Sequence, residues 1–189
     1  MRELFATNLY EAEIGDDALL DELAHSIRTL SRDDEAGRRW SRDHGYAGYT
    51  SYASLNDLRR RDPAIAELAK LLSRHASKFA RESGWDRRRP KLDSLWVNLL
   101  KAGGHHSGHI HPHSIISGTF YVEVPRRSGA IRFEDPRLPL MMAAPQHADT
   151  FVNVEPRPGL LLMWESWLRH EVLPGTGRGG RLSISFNFA

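Results

Sequence analysis

Five histidines, His105, His106, His109, His111 and His113, fall within nine residues of a 189-residue chain that carries ten histidines and no cysteine. Crowding of this kind is a metal-site composition. Without cysteine the chain has no disulfide framework, no thiolate zinc site and no catalytic thiol, so nitrogen or oxygen atoms must hold any metal. If His109 and His111 sit on an extended strand, alternation places both imidazoles on one face with Ile110 behind them, a geometry suited to one cation.

A third ligand must come from elsewhere, and His170, in Trp-Leu-Arg-His-Glu-Val, is the best candidate, because it opens a short segment after Gly-Leu-Leu-Leu. Mononuclear iron oxygenases usually combine two histidines with one carboxylate and leave the opposite positions open. Here His111 stands where the carboxylate would stand, which leaves the site one unit more positive and suits a dianionic cosubstrate. Surface histidines or a plain zinc site are the rival readings, and His113, beyond Pro112, competes with His111.

The end of the chain carries a second signal. Arg181, Ser183, Ser185 and Asn187 alternate with Leu182, Ile184, Phe186 and Phe188, giving one polar and one apolar face. The polar face could lie in water; the sharper reading aims Arg181 and Ser183 inward, where a guanidinium grips a carboxylate with paired hydrogen bonds. On Ser117-Gly118-Thr119-Phe120-Tyr121 the same alternation groups Ser117, Thr119 and Tyr121. Tyr121 could donate to that carboxylate or be a core tyrosine with a satisfied hydroxyl.

The elements that must position these residues divide the chain in two. Residues 1–90 read as a short strand, Leu4 to Leu9, a helix from Asp16 to Leu30 with Leu19, Leu20, Leu23, Ile27 and Leu30 at helical spacing, a polar stretch from Glu35 to Tyr52, and a helix from Pro63 to Glu82 capped by Asp62. Residues 91–189 read as strands near Leu92–Lys101, His109–His111, Ser117–Val124, Ala130–Phe133, Thr150–Val154, Leu160–Trp164, His170–Leu173 and Leu182–Phe188. About eight short strands without intervening helices predict a jelly roll or barrel, with the helices as a buttress in one domain spanning 1–189.

The formal net charge of +2 is a weak pointer to nucleic acid, although Arg59-Arg60-Arg61 and Arg87-Arg88-Arg89 could make one basic patch. The favoured reading of both runs is solvated helix ends and loops. No signal-peptide run and no apolar stretch of spanning length is present, so the expectation is a soluble cytoplasmic protein. A homodimer is the default assembly.

The chain resembles the 2-oxoglutarate- and iron(II)-dependent oxygenases of bacteria and phages. The resemblance rests on Gly48–Tyr52, Trp96-Val97-Asn98, His109-Ile110-His111-Pro112, Ser117–Val122, Phe133–Arg137, Ser166–Val172 and Arg181–Asn187. It implies a mainly β fold with N-terminal helices, a double-stranded β-helix related to the cupins. It further implies Fe(II) at His109, His111 and His170, with 2-oxoglutarate held by Arg181, Ser183 and Tyr121. Trp96, Asn98, Trp164 and Trp167, with Ser117 and Thr119, would shape the pocket or serve only as core. The implied reaction hydroxylates a small-molecule or peptide substrate, which the sequence does not name, with release of succinate and carbon dioxide. A cupin-like metalloprotein that does not use 2-oxoglutarate is the alternative, as is a nucleic-acid or protein-binding module. Against the cupin reading, Ile115 and Ile116 occupy the positions where a cupin glutamate is expected.

Overall fold

The computed structural model describes residues 1–85, 89–143 and 149–189. Arg87 and Arg88 of the second basic run lie outside the described residues. In chain order the elements are β1 (Leu9–Glu13), α1 (Asp17–Asp33), α2 (Glu35–Asp43), β2 (Gly48–Thr50), α3 (Leu58–Arg61), α4 (Pro63–Glu82), β3 (Leu92–Leu100), β4 (His106–His109), β5 (Ile116–Glu123), β6 (Ile131–Glu134), α5 (Leu140–Ala143), β7 (Phe151–Val154), β8 (Leu160–Glu165), β9 (His170–Val172) and β10 (Arg181–Phe188).

The strands form two antiparallel sheets, a six-stranded one in the order β1-β8-β5-β10-β3-β2 and a four-stranded one in the order β4-β9-β6-β7. This is the expected jelly roll, a double-stranded β-helix. Strand alternation explains which residues end up where. On β8, Leu161 and Met163 turn outward to the helices, where they share a core with Leu19, Leu23 and Ile27 of α1 and Ile65, Leu68 and Leu72 of α4. Leu160, Leu162 and Trp164 turn inward and pack with Tyr121, Ile131, Phe133 and Leu168 between the sheets. Both faces of the strand are therefore buried, which is why its sequence is continuously apolar rather than alternating.

α1 begins at Asp16, whose carboxylate accepts the Leu19 N–H at 3.0 Å, and α4 begins at Asp62, which accepts the Ile65 N–H at 3.0 Å with Pro63 behind it. These caps satisfy N–H groups that a helix leaves without partners. α4 has the predicted bounds.

Three expectations are corrected. The N-terminal strand is Leu9–Glu13, not Leu4 to Leu9, because its partner is Leu160–Trp164 of β8 and pairing starts at Leu9 opposite Trp164. The stretch from Glu35 onward is not wholly irregular: α2 forms there, capped by Asp34. The sharp turn after Asp34 also needs Gly37, since a Cβ there would sit 2.3 Å from the Asp34 carboxylate, which receives the Tyr49 hydroxyl at 2.8 Å and Ser54 Oγ at 2.5 Å. The third correction concerns the histidine strand, which is His106–His109, so His111 lies beyond its end.

Of the basic run on α3, Arg61 pairs with Asp57 at 2.7 Å and Arg59 reaches the Leu92 carbonyl at 3.4 Å. Among the described residues no helix is long and apolar enough to cross a membrane.

Candidate metal and cosubstrate site

β4 and β9 are antiparallel neighbours, and their register places His109 directly opposite His170. Their rings lie 4.4 Å apart, centre to centre. His111 reaches the same point by a different route: its backbone N–H donates to the Ser166 carbonyl at 3.0 Å, which turns the chain just past β4 and stacks its ring over His170 at 5.2 Å and 17°. One nitrogen from each of the three rings lies within 4.8 Å of the other two. Imidazoles bind first-row cations at about 2.1 Å, so three nitrogens this close together can share one ion.

Two of the three rings are oriented for that role by the backbone. His109 Nδ1 donates to the Ser107 carbonyl at 2.7 Å and His170 Nδ1 to the Leu168 carbonyl at 2.9 Å. A carbonyl only accepts, so Nδ1 carries the proton and the Nε2 lone pair is left for a cation. Burial pushes His111 down to about 4 and His170 to about 3, with the neighbouring histidines adding to the effect and the Leu168 carbonyl opposing it at His170. At neutral pH both rings are uncharged, as ligands must be.

The cavity behind these rings is lined by Thr119, Tyr121, Trp164, Arg181, Ser183 and Ser185, with Trp96 and His106 at its sides. Among the described residues no carboxylate lines it. Arg181 is buried and enters from the first residue of β10; its Nη1 donates to the Gly129 carbonyl at 2.9 Å. Its Nε, and Nε1 of Trp164, are buried N–H donors without a protein acceptor among the described residues. Tyr121, fully buried, lies beside the guanidinium, whose carbon is 5.6 Å from the ring centre, and opposite Ser183 in register. Burial pushes the Tyr121 hydroxyl up to about 12, against the pull of Arg181, so it remains a donor.

The structure thus gathers His109, His111, His170, Arg181, Ser183, Tyr121, Thr119, Trp96 and Trp164 around one cavity. Three pocket candidates lie elsewhere. Ser117 sits beneath the site, its hydroxyl 2.8 Å from Ser166 Oγ and 2.9 Å from Asn187 Oδ1, both buried. Asn98 stands one layer out, donating to Ser185 Oγ at 3.1 Å. Half-exposed Trp167 donates to Glu165 at 2.8 Å on the outer surface. His113, with φ of 71°, lines a separate outer groove with Pro112 and Trp167. His106 was not singled out by the sequence: it was one of five crowded histidines, and only the pairing of His106 with Val172 on β9 turns it into the cavity.

A jelly roll that holds three neutral imidazoles at one point, with a buried guanidinium behind them, is the architecture of a mononuclear metal oxygenase with an acidic cosubstrate. Residues 94–187 match the family described as "Putative 2OG-Fe(II) oxygenase", and through them the chain belongs to that family. No curated protein matches the sequence.

Among solved structures the fold is similar to a prolyl-4-hydroxylase of Pseudomonas putida, at 18% identity and TM-score 0.64 over 96% of this chain and 92% of that one. It is also similar to SnoN, the non-heme α-ketoglutarate-dependent epimerase of nogalamycin biosynthesis, at 17% identity and TM-score 0.70 over 97% and 78%. A third relative in fold is HygX of Streptomyces hygroscopicus, crystallised with nickel and 2-oxoglutarate, at 12% identity and TM-score 0.61 over 97% and 82%. At these identities the likeness is one of fold. By family the protein is a 2-oxoglutarate- and Fe(II)-dependent oxygenase, and its cofactors are Fe(II) and 2-oxoglutarate.

Proposed function

We propose that this oxygenase holds Fe(II) on His109, His111 and His170 and 2-oxoglutarate on Arg181, Ser183 and Tyr121, and that it hydroxylates a small-molecule or peptide substrate. The observation that carries the proposal is the buried Arg181 Nε, without a protein acceptor among the described residues, in the same cavity as three imidazoles whose nitrogens converge. An unpaired buried donor costs roughly 1–3 kcal/mol, and a carboxylate removes that cost.

When bound, iron and 2-oxoglutarate supply oxygen activation, with succinate and carbon dioxide as co-products and one oxygen atom inserted into a C–H bond. The protein's own residues bind and orient. The Ser107 and Leu168 carbonyls fix which nitrogen of His109 and His170 faces the cation. Arg181, Ser183 and Tyr121 offer a charged and two hydroxyl donors to one end of a dianion, and Trp164 presents a further N–H. Three neutral ligands leave the full charge of the cation to be offset by that dianion, the electrostatic counterpart of having His111 in place of a carboxylate. Apolar walls from Trp96, Ile131, Trp164 and Val172 limit water around the reacting centre. A cupin-like reaction without 2-oxoglutarate leaves Arg181 with no purpose at the site.

The test is cosubstrate turnover. Aerobic incubation with Fe(II) and 2-oxoglutarate is expected to release succinate, even slowly without a primary substrate, and His170→Ala is expected to abolish it. Metal-loaded, folded wild-type protein that releases no succinate in the presence of a broad panel of peptides and metabolites would overturn the reading.

A further inference from the structure

An aromatic run leaves the metal site beside β3 and ends in solvent, and no role assigned above uses it. The Trp96 ring lies 6.1 Å from the ring of His111, centre to centre. Tyr52 meets Trp96 edge-on at 5.2 Å and 73°, and Trp40 of α2 follows at 6.2 Å. Trp40 is in turn stacked on exposed His44 at 4.2 Å and 15°. Backbone contacts hold this order. Ser51 N–H donates to the Val97 carbonyl at 3.1 Å and Val97 N–H to Ser51 Oγ at 3.0 Å, which pins the residue before Tyr52 to the residue after Trp96.

Tyr52 is 62% exposed, so burial of apolar area accounts for little of its placement. In a chain without cysteine, tryptophan and tyrosine are the side chains that most readily give up one electron, and rings in near contact pass electrons quickly. A tyrosine yields its electron together with its phenolic proton, so such a run stops best at a tyrosine standing in water, as Tyr52 does. Trp164 is nearer to the histidines, with its ring 4.6 Å from that of His170, but it is buried. Among the described residues its remaining ring contact is Phe133, which is far harder to oxidise. An electron vacancy on Trp164 has no way out, whereas one on Trp96 does.

We propose that Trp96 and Tyr52, continued by Trp40, form a discharge route that carries oxidising equivalents from the metal centre to the surface when no primary substrate is in place. The proposal rests on the reading of the site as one where Fe(II) and 2-oxoglutarate activate oxygen. After the cosubstrate is decarboxylated, the centre stands two electrons above Fe(II) and keeps one oxygen atom. Trp96 gives one electron inward and takes one from Tyr52, whose phenolic proton goes to water. The phenoxyl radical left on Tyr52 is reduced at the surface by a soluble thiol, which returns one electron and one proton. Two such passages, with two protons taken up at the metal, turn the oxygen atom into water and restore Fe(II), while the two thiols leave as one disulfide.

The experiment mixes anaerobic protein loaded with Fe(II) and 2-oxoglutarate with oxygen, without primary substrate or thiol, for wild type, Tyr52→Phe and Trp96→Phe. Freeze-quenched samples are read by electron paramagnetic resonance and then by peptide mass spectrometry for added oxygen. Succinate is measured in the same samples, and melting curves serve as a fold control. Wild type is expected to show a phenoxyl signal that added thiol removes. Per succinate released, that signal is expected to be lost in Tyr52→Phe, which keeps the ring and its packing, and in Trp96→Phe. In Tyr52→Phe the added oxygen is expected to rise at Trp96 and Trp164. A signal of wild-type size in folded Tyr52→Phe would overturn the proposal. So would succinate release by wild type with no radical signal and no difference from Tyr52→Phe in the oxygen added. Absence of succinate from wild type would overturn the cosubstrate reading itself and the proposal with it, a distinct outcome.

Discussion

His109 and His170 face one another across a single rung of the β4–β9 ladder, and Phe133 faces His170 on the next strand. The two imidazoles are placed by backbone pairing and by their own carbonyl contacts, so their positions are set before any cation arrives. His111 is different. It lies past the strand end and depends on one backbone hydrogen bond to Ser166, which makes it the adjustable member of the three.

The adjustable member tolerates exchange for the more usual ligand. His111→Asp is expected to retain Fe(II) and 2-oxoglutarate binding, since a carboxylate supplies an oxygen donor and lowers the net charge of the site. His111→Ala is expected to lose Fe(II) affinity by at least the roughly 10- to 100-fold that loss of an outer partner costs. Calorimetric Fe(II) titration of both variants checks this; equal losses would show that His111 supplies shape and not a ligand.

Ser117 tests how the His111 turn is supported. Its hydroxyl joins Ser166 to Asn187, and Asn187 continues to Ser94 at 3.2 Å. Ser117→Ala leaves buried partners short of a hydrogen bond, at about 1–3 kcal/mol, which for a chain of this size lowers the melting temperature by roughly 2–10 °C. Thermal melts are expected to show that drop while 2-oxoglutarate affinity in the folded variant changes little. The opposite pattern would return Ser117 to the cavity wall.

Much of the fold and the outline of the site were legible in the sequence because strands carry a period of two. Alternation on Arg181–Phe188 separates cavity residues from core residues, and Pro63 with Asp62 marks the start of α4. What was hidden depended on contacts distant in sequence. α2 has a strongly polar sequence, Glu-Ala-Gly-Arg-Arg-Trp-Ser-Arg-Asp, and is fastened by Tyr49 and Ser54 reaching Asp34. The sharing of a face by His109 and His111 was expected from a strand that ends at His109; the convergence survives because the Ser166 carbonyl, from the turn after β8, redirects His111. Ser117 shows the limit of alternation, which gives the face but not the depth along the strand.

Acid should destabilise the metal-free protein early. His106 and His111 are pushed down to about 4 and His170 to about 3, chiefly by burial, whereas an unfolded chain protonates its histidines near 6.5. Between these values the unfolded chain binds more protons, so stability is present above about pH 6.5 and falls as pH drops towards 4. The buried His170 contributes up to about 1.4 kcal/mol per pH unit. Melting curves from pH 7.5 to 5 are expected to show a steep decline that His170→Asn makes shallower. A wild-type profile flat over that interval would contradict the burial argument.

The most direct test of the central claim is anaerobic addition of Fe(II) and then 2-oxoglutarate, with the visible charge-transfer band of the iron chelate as readout, in wild type and Arg181→Ala. The account predicts a band in wild type that saturates with the cosubstrate and weakens sharply in the variant, whose cavity lacks the Arg181 guanidinium. Fe(II) binding with no such band in wild type, or a band of equal affinity in Arg181→Ala, would contradict it.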